Sequence, residues 1–133
     1  MDVVDSSNQN LLPSSDQEFL TNKDYEFEVL EETGKLQLVI KNFSLPKAYQ
    51  PQNVNILIEI PPGYPNAQLD MFWTYPEVKL LNGNLPLTSQ HHQTFHGNSW
   101  QRWSRHLTSA WRPGIDNLRT FLTAIRKELN KGI

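Results

Sequence analysis

The chain has 133 residues, 38% hydrophobic and 20% charged, with no cysteine and a formal net charge of −2. This length suits one domain that buries roughly two-thirds of its unfolded surface, and the lack of cysteine excludes disulfides, thiolate zinc sites and a cysteine nucleophile. No apolar run approaches the ~20 residues of a membrane helix, and the opening MDVVDSSNQN lacks the regions of a signal peptide, so a soluble, cytoplasmic protein is expected.

Residues 1–13 are polar and acidic and read as a frayed tail, leaving 14–133 as a single domain. Ser14 to Leu20 reads as the start of a short helix, with Ser14 or Ser15 as cap and acidic residues in its first turn. Tyr25, Phe27 and Val29 alternate with Glu26, Glu28 and Glu31, the period of a half-buried strand. A turn at Glu32 to Lys35 leads to a second strand through Leu36, Leu38 and Ile40. Val54 to Ile60 makes a third strand, stopped by Pro61-Pro62 because proline cannot donate to a ladder. Leu69 to Tyr75 makes a fourth, in which Phe72 and Trp73 must face opposite ways. Leu118, Phe121, Leu122, Ile125 and Leu129 then mark an amphipathic helix that Asp116 is placed to cap.

Charge is uneven. Residues 1–98 carry 5 Lys+Arg against 12 Asp+Glu, and residues 99–133 carry 7 against 2, a basic end on an acidic body that can steer an acidic partner or simply solvate a helix face. All four Trp and all four His lie between Pro61 and Pro113, which marks that segment as the candidate working surface.

Three short motifs in this order resemble the ubiquitin-conjugating enzyme fold over about residues 14–131: Pro62-Gly63-Tyr64-Pro65, then Phe72-Trp73-Thr74 with Tyr75-Pro76-Glu77-Val78, then Trp111-Arg112-Pro113 with Leu118. The resemblance implies an α+β domain: a short N-terminal helix, a four-strand antiparallel meander, a long irregular insert and a C-terminal amphipathic helix. The chain is similar to the divergent bacterial members of that superfamily, which implies an activating enzyme and a ubiquitin-like protein as partners, with a deconjugating metalloprotease in the same pathway and no cofactor.

Departures from the family pattern bear on activity. Gly83-Asn84-Leu85-Pro86-Leu87 aligns with the family's active-site segment and puts Pro86, which has no nucleophile, at the catalytic cysteine. Glu77 takes the place of the family's oxyanion-stabilising Asn, where an anion repels developing negative charge. Counting back from Trp111 lands instead at Trp103, next to Ser104, so the chain carries an insertion between Leu87 and Trp111. Ser104 is two residues from His106 and eight from His96, so the candidate transferase site is Ser104 as hydroxyl acceptor, His106 or His96 as base, and Asn98 as oxyanion donor. Thr88, Ser89, Thr94, Ser99, Thr108 and Ser109 are rival hydroxyls.

His92 and His96 would share a helix face and could take a metal with His91 or His106, but no Glu follows in the HExxH arrangement, so polar packing is preferred and no metal is expected. Trp100, Arg102, Trp103 and Arg105 alternate rings with cations as single-strand nucleic-acid surfaces do, yet the net charge is negative and no basic stripe accompanies them. They read instead as a helical turn with both Trp packed on the sheet and both Arg outside, contributing with Trp111 to a protein-binding surface. Three functions follow: a hydroxyl-dependent conjugating enzyme, a catalytically inactive module that binds a ubiquitin-like protein or its activating enzyme, or an interaction scaffold of the same fold outside any modifier pathway.

Overall fold

A computed structural model describes residues 11–107 and 110–133. Helix α1 (Ser14–Asn22) forms as expected, but neither serine caps it. Pro13 occupies the cap, and its carbonyl accepts from the amides of Asp16 (3.0 Å) and Gln17 (3.1 Å). Proline loses nothing there, because an amide at the helix start has no intrahelical partner. Of the tail expected over 1–13, residues 1–10 lie outside the described residues, while Leu12 is buried in the core.

Strands β1 (Glu26–Glu32) and β2 (Lys35–Ser44) form the expected hairpin on Thr33-Gly34, whose φ angles of 51° and 78° suit a two-residue turn. They are followed by β3 (Tyr49–Gln50), β4 (Asn53–Ile60), β5 (Phe72–Tyr75), β6 (Lys79–Leu80), β7 (His91–Phe95) and β8 (Asn98–Trp103), and the chain closes on α2 (Leu118–Leu129). A six-stranded sheet runs β1-β2-β4-β5-β8-β7, and β3 pairs with β6 in a separate ribbon. The four-strand meander is therefore present as β1, β2, β4 and β5.

The long irregular insert is corrected: it contains the β7–β8 hairpin, turning at His96-Gly97 with φ of 51° and 81°. The first four residues of β7 are all exposed, so they lack the alternation that signals a half-buried strand. In β8 the two tryptophans, three apart, face opposite sides of the sheet instead of sharing a helical edge, and each meets its own apolar cluster.

The inner face of the sheet carries Leu38, Ile40, Ile56, Ile58, Phe72 and Trp103, covered by Leu118, Phe121, Leu122, Ile125 and Leu129 of α2 in the spacing read from sequence. The cap of α2 is corrected from Asp116 to Asn117, whose side chain accepts from Thr120 N (3.2 Å) while Thr120 Oγ1 accepts from Asn117 N (3.0 Å). This reciprocal arrangement satisfies two amides that the helix itself cannot. On the outer face Val39, Leu57, Trp73, Phe95 and Trp100 form a second cluster. The sheet curls far enough for the tips of its two hairpins to meet there: His96 N donates to Glu32 Oε2 (3.1 Å), and His96 Nε2 lies 2.6 Å from Gln37 Oε1.

Candidate functional site

One buried side chain ties both ends of the segment that follows β5 to the sheet. Gln101 in β8 is fully buried; its Oε1 accepts from Val78 N (2.7 Å) and Thr74 Oγ1 (3.0 Å), and its Nε2 donates to Val78 O (3.0 Å) and Ser89 Oγ (3.2 Å). Ser89 Oγ donates onward to Pro86 O at 2.6 Å, and Trp103 Nε1 donates to Thr74 Oγ1 at 2.9 Å. Both ends of residues 78–89 are thus pinned to β8 by satisfied buried polar groups, the condition under which such a network rigidifies a region. Val78 and Pro86 are buried anchors, while Leu81, Leu85 and Leu87 between and beside them are 65%, 38% and 59% exposed.

This arrangement ranks the hydroxyls. Ser89 is fully buried with its hydroxyl engaged on both sides, so it is closed to a macromolecular substrate. Thr88 is exposed, has a φ of 56° that a branched side chain rarely adopts, and turns its hydroxyl to Leu87 O (2.7 Å). Its carbonyl accepts from Ser104 N at 3.0 Å, which puts Thr88 and Ser104 side by side where β7 begins and β8 ends. Thr108 and Ser109 lie outside the described residues.

The residues expected around Ser104 are only partly brought together. His96 and Asn98 sit at the hairpin turn, and the six steps from Asn98 to Ser104, just past the end of β8, span about 20 Å at strand rise. His96 as base and Asn98 as oxyanion donor for Ser104 are therefore corrected. His106 stays near Ser104 in sequence, and its Nδ1 lies 3.6 Å from Asp70 Oδ1, but no hydrogen bond joins it to Ser104 among the described residues. Asp70 escaped the sequence reading, although it is the lone carboxylate between Glu59 and Glu77. Gln101 is absent from it too, because on the helical turn expected there a glutamine beside Arg102 looks like a solvent-facing residue.

Glu77 pairs with His92 Nε2 at 3.0 Å across the edge of the sheet. Among the described residues no three His, Asp or Glu side chains converge as metal ligands. Of the alternating rings and cations, Trp103 is fully buried, stacked on Phe72 at 5.2 Å, and Trp100 packs against Tyr75 at 5.5 Å. Arg105, expected outside, is corrected to the interior: its Nε donates to Leu87 O (3.0 Å), its Nη2 to Ile133 O (2.5 Å), and its guanidinium lies 4.9 Å from the Trp103 ring centre. Arg102 is half-buried on the outer face opposite His91.

Trp111, half-buried, donates from Nε1 to Pro65 O (2.9 Å) and leans on Tyr64, anchoring the approach to α2. Tyr64 itself joins three elements. Its hydroxyl donates to Asp16 Oδ2 (2.6 Å) in α1 and accepts from Leu118 N (2.8 Å) in α2. Burial raises the Asp16 carboxyl above its ordinary range against the lowering effect of that hydrogen bond, and raises the Tyr64 phenol as well.

The motif at Tyr64, the strand at Phe72 to Tyr75 and the helix after Trp111 thus surround one core, in the order the sequence presents them. The sequence model of Prokaryotic E2 family E matches residues 12–132. The chain belongs to this family. No curated protein and no solved structure matches it. As a prokaryotic E2-like protein it is a component of the ubiquitin-like conjugation type, whose members in general work with ubiquitin-like proteins and activating enzymes. It is a cysteine-free member, and among the described residues no helix is long and apolar enough to cross a membrane.

Proposed function

We propose that this E2-like protein acts in a bacterial conjugation pathway as a binding component for the ubiquitin-like modifier and its activating enzyme. One observation carries the reading: Pro86, which the resemblance aligns with the catalytic cysteine, is buried and its carbonyl is tied through Ser89 to Gln101, so this position offers neither a nucleophile nor room for one. The exposed leucines at 81, 85 and 87 on that pinned segment provide apolar contact area for a partner. A deconjugating metalloprotease belongs to the same proposed pathway.

A second reading is favoured by the Asp70 and His106 geometry. A carboxylate facing Nδ1 leaves Nε2 free to take a proton, and half-buried Ser104 is two residues away. In this reading Ser104 Oγ bonds to the modifier's C-terminal carbonyl carbon as that carbon's bond to a cysteine sulfur of the activating enzyme breaks. The hydroxyl proton passes through His106 to the departing thiolate.

Intact-mass measurement after incubation with ATP, a charged activating enzyme and the modifier separates the two. Binding by calorimetry with no adduct supports the binding component. An adduct of modifier size that resists thiol reductants, is released by hydroxylamine and disappears in Ser104→Ala supports the acceptor. Neither binding nor adduct would sink both.

A further inference from the structure

The two edges of the six-stranded sheet are treated differently by the sequence. β1 carries Glu26, Glu28, Glu31 and Glu32 in seven residues, the charged side chains that keep other strands from pairing with an edge. β7, at the opposite edge, reads His-His-Gln-Thr-Phe, with no Lys, Asp, Glu or Pro, and its first four residues are exposed.

The register says which backbone groups are free. The turn has two residues, so Phe95 and Asn98 form a hydrogen-bonded pair, and the pairs alternate from there. Phe95, Gln93 and His91 therefore spend their amides and carbonyls on β8, and those of Thr94 and His92 point outward. Among the described residues no strand takes them up. On the sheet faces flanking this edge lie His92, and His91 opposite Arg102, whose Nε has no hydrogen-bond partner among the described residues.

Resting on the reading above, we propose that β7 is the template on which the extended C-terminal tail of the ubiquitin-like modifier adds as a seventh strand, antiparallel to β7. Direction follows from the ends of the strand. A tail antiparallel to β7 enters at Phe95 and finishes at His91, the end where Thr88 and Ser104 lie side by side. A parallel tail would finish at the Glu32 side chain that meets His96 N, where its terminal carboxylate would face another. At the His91 end it meets Arg102, an opposite charge; Glu77 there contacts His92 much as Glu32 contacts His96, so the Arg102 cation is what distinguishes the two ends. Main-chain pairing supplies the affinity in such strand addition, and the alternating side chains of β7 supply the selection.

The test uses the full chain and the modifier of its pathway, the latter also with about six C-terminal residues removed, the length that pairs with a strand of this size. Thr94→Pro removes an outward amide at an edge position where proline is compatible with the fold, and Thr94→Ala keeps it. The expected result is equal binding by wild type and Thr94→Ala, with about tenfold or greater loss for Thr94→Pro and for the shortened modifier. Amide exchange gives a readout on the unmodified chain: His92 and Thr94 exchange fast when free and slow down on modifier binding. Binding that survives both the proline and the shortened tail, or leaves those two amides fast, overturns strand addition while leaving the binding component intact. No binding to wild type overturns both. Slowing of the same amides with protein concentration alone would assign the edge to a second copy of the chain and overturn the proposal.

Discussion

Tyr64 shows what a single residue contributes. Its hydroxyl is the shared partner of a buried carboxylate in α1 and the first amide of α2, so Tyr64→Phe removes one oxygen and with it a hydrogen bond from each of the two. The expected loss is about 1–3 kcal/mol, read by urea unfolding. Asp116 tests the pH side. The backbone amide of Arg112 first, and then its guanidinium, hold this carboxyl below its ordinary 3.8. A depressed acid contributes stability that is present above its unfolded value and lost as pH falls through its folded one. The difference in melting temperature between wild type and Asp116→Asn is therefore expected to be largest near neutrality and to shrink as pH drops below about 3.8. Asp16 runs the other way: its raised carboxyl favours the folded state when protonated, and that contribution fades as pH rises through the raised value.

Strand β8 is the element that organises the rest. It alternates Trp100 and Arg102 toward the outer face with Gln101 and Trp103 toward the inner one, and Gln101 carries the segment containing Pro86. Gln101→Leu keeps the volume but strips partners from Val78 N, Val78 O and Ser89 Oγ. It is expected to cost about 2–3 kcal/mol and to accelerate amide exchange at Val78 well before global unfolding. Unchanged exchange at Val78 would mean that Pro86 is held by its own packing. The amphipathic pattern of α2 is readable because its whole inner stripe is apolar, but its cap is not, since Asp116 and Asn117 both favour cap positions and differ only in how the chain approaches the helix; α1 is entered through Pro13, with no side-chain cap at all.

For the whole molecule, curvature of the sheet matters most. Meeting of the two hairpin tips at Glu32, Gln37 and His96 closes the outer face over Val39, Leu57, Trp73, Phe95 and Trp100. Phe95 closes this cluster from the edge strand, edge-on to Trp73 with ring centres 5.6 Å apart. Phe95→Ala is expected to lower stability by about 3 kcal/mol and to alter tryptophan fluorescence, because it uncovers Trp73. A neutral result would mean that the outer cluster closes without β7. Curvature also decides which candidate residues meet: it carries His96 to Glu32, while the extended length of β8 keeps it from Ser104.

Much of the fold was legible in the chain itself. The alternation of Tyr25, Phe27 and Val29, the matching run at Leu36 to Ile40 and the spacing from Leu118 to Leu129 each state locally which side is buried, and the order of the Tyr64, Phe72 and Trp111 motifs states the family. The candidate site was much less so. A serine and a histidine two residues apart, or a glutamine in a polar stretch, look alike in sequence whether they face solvent, substrate or the core. Only the tertiary structure pairs β8 with β5, buries Ser89 and Gln101, separates His96 from Ser104 and leaves β7 as an unguarded edge, because these facts depend on contacts between residues far apart in the chain.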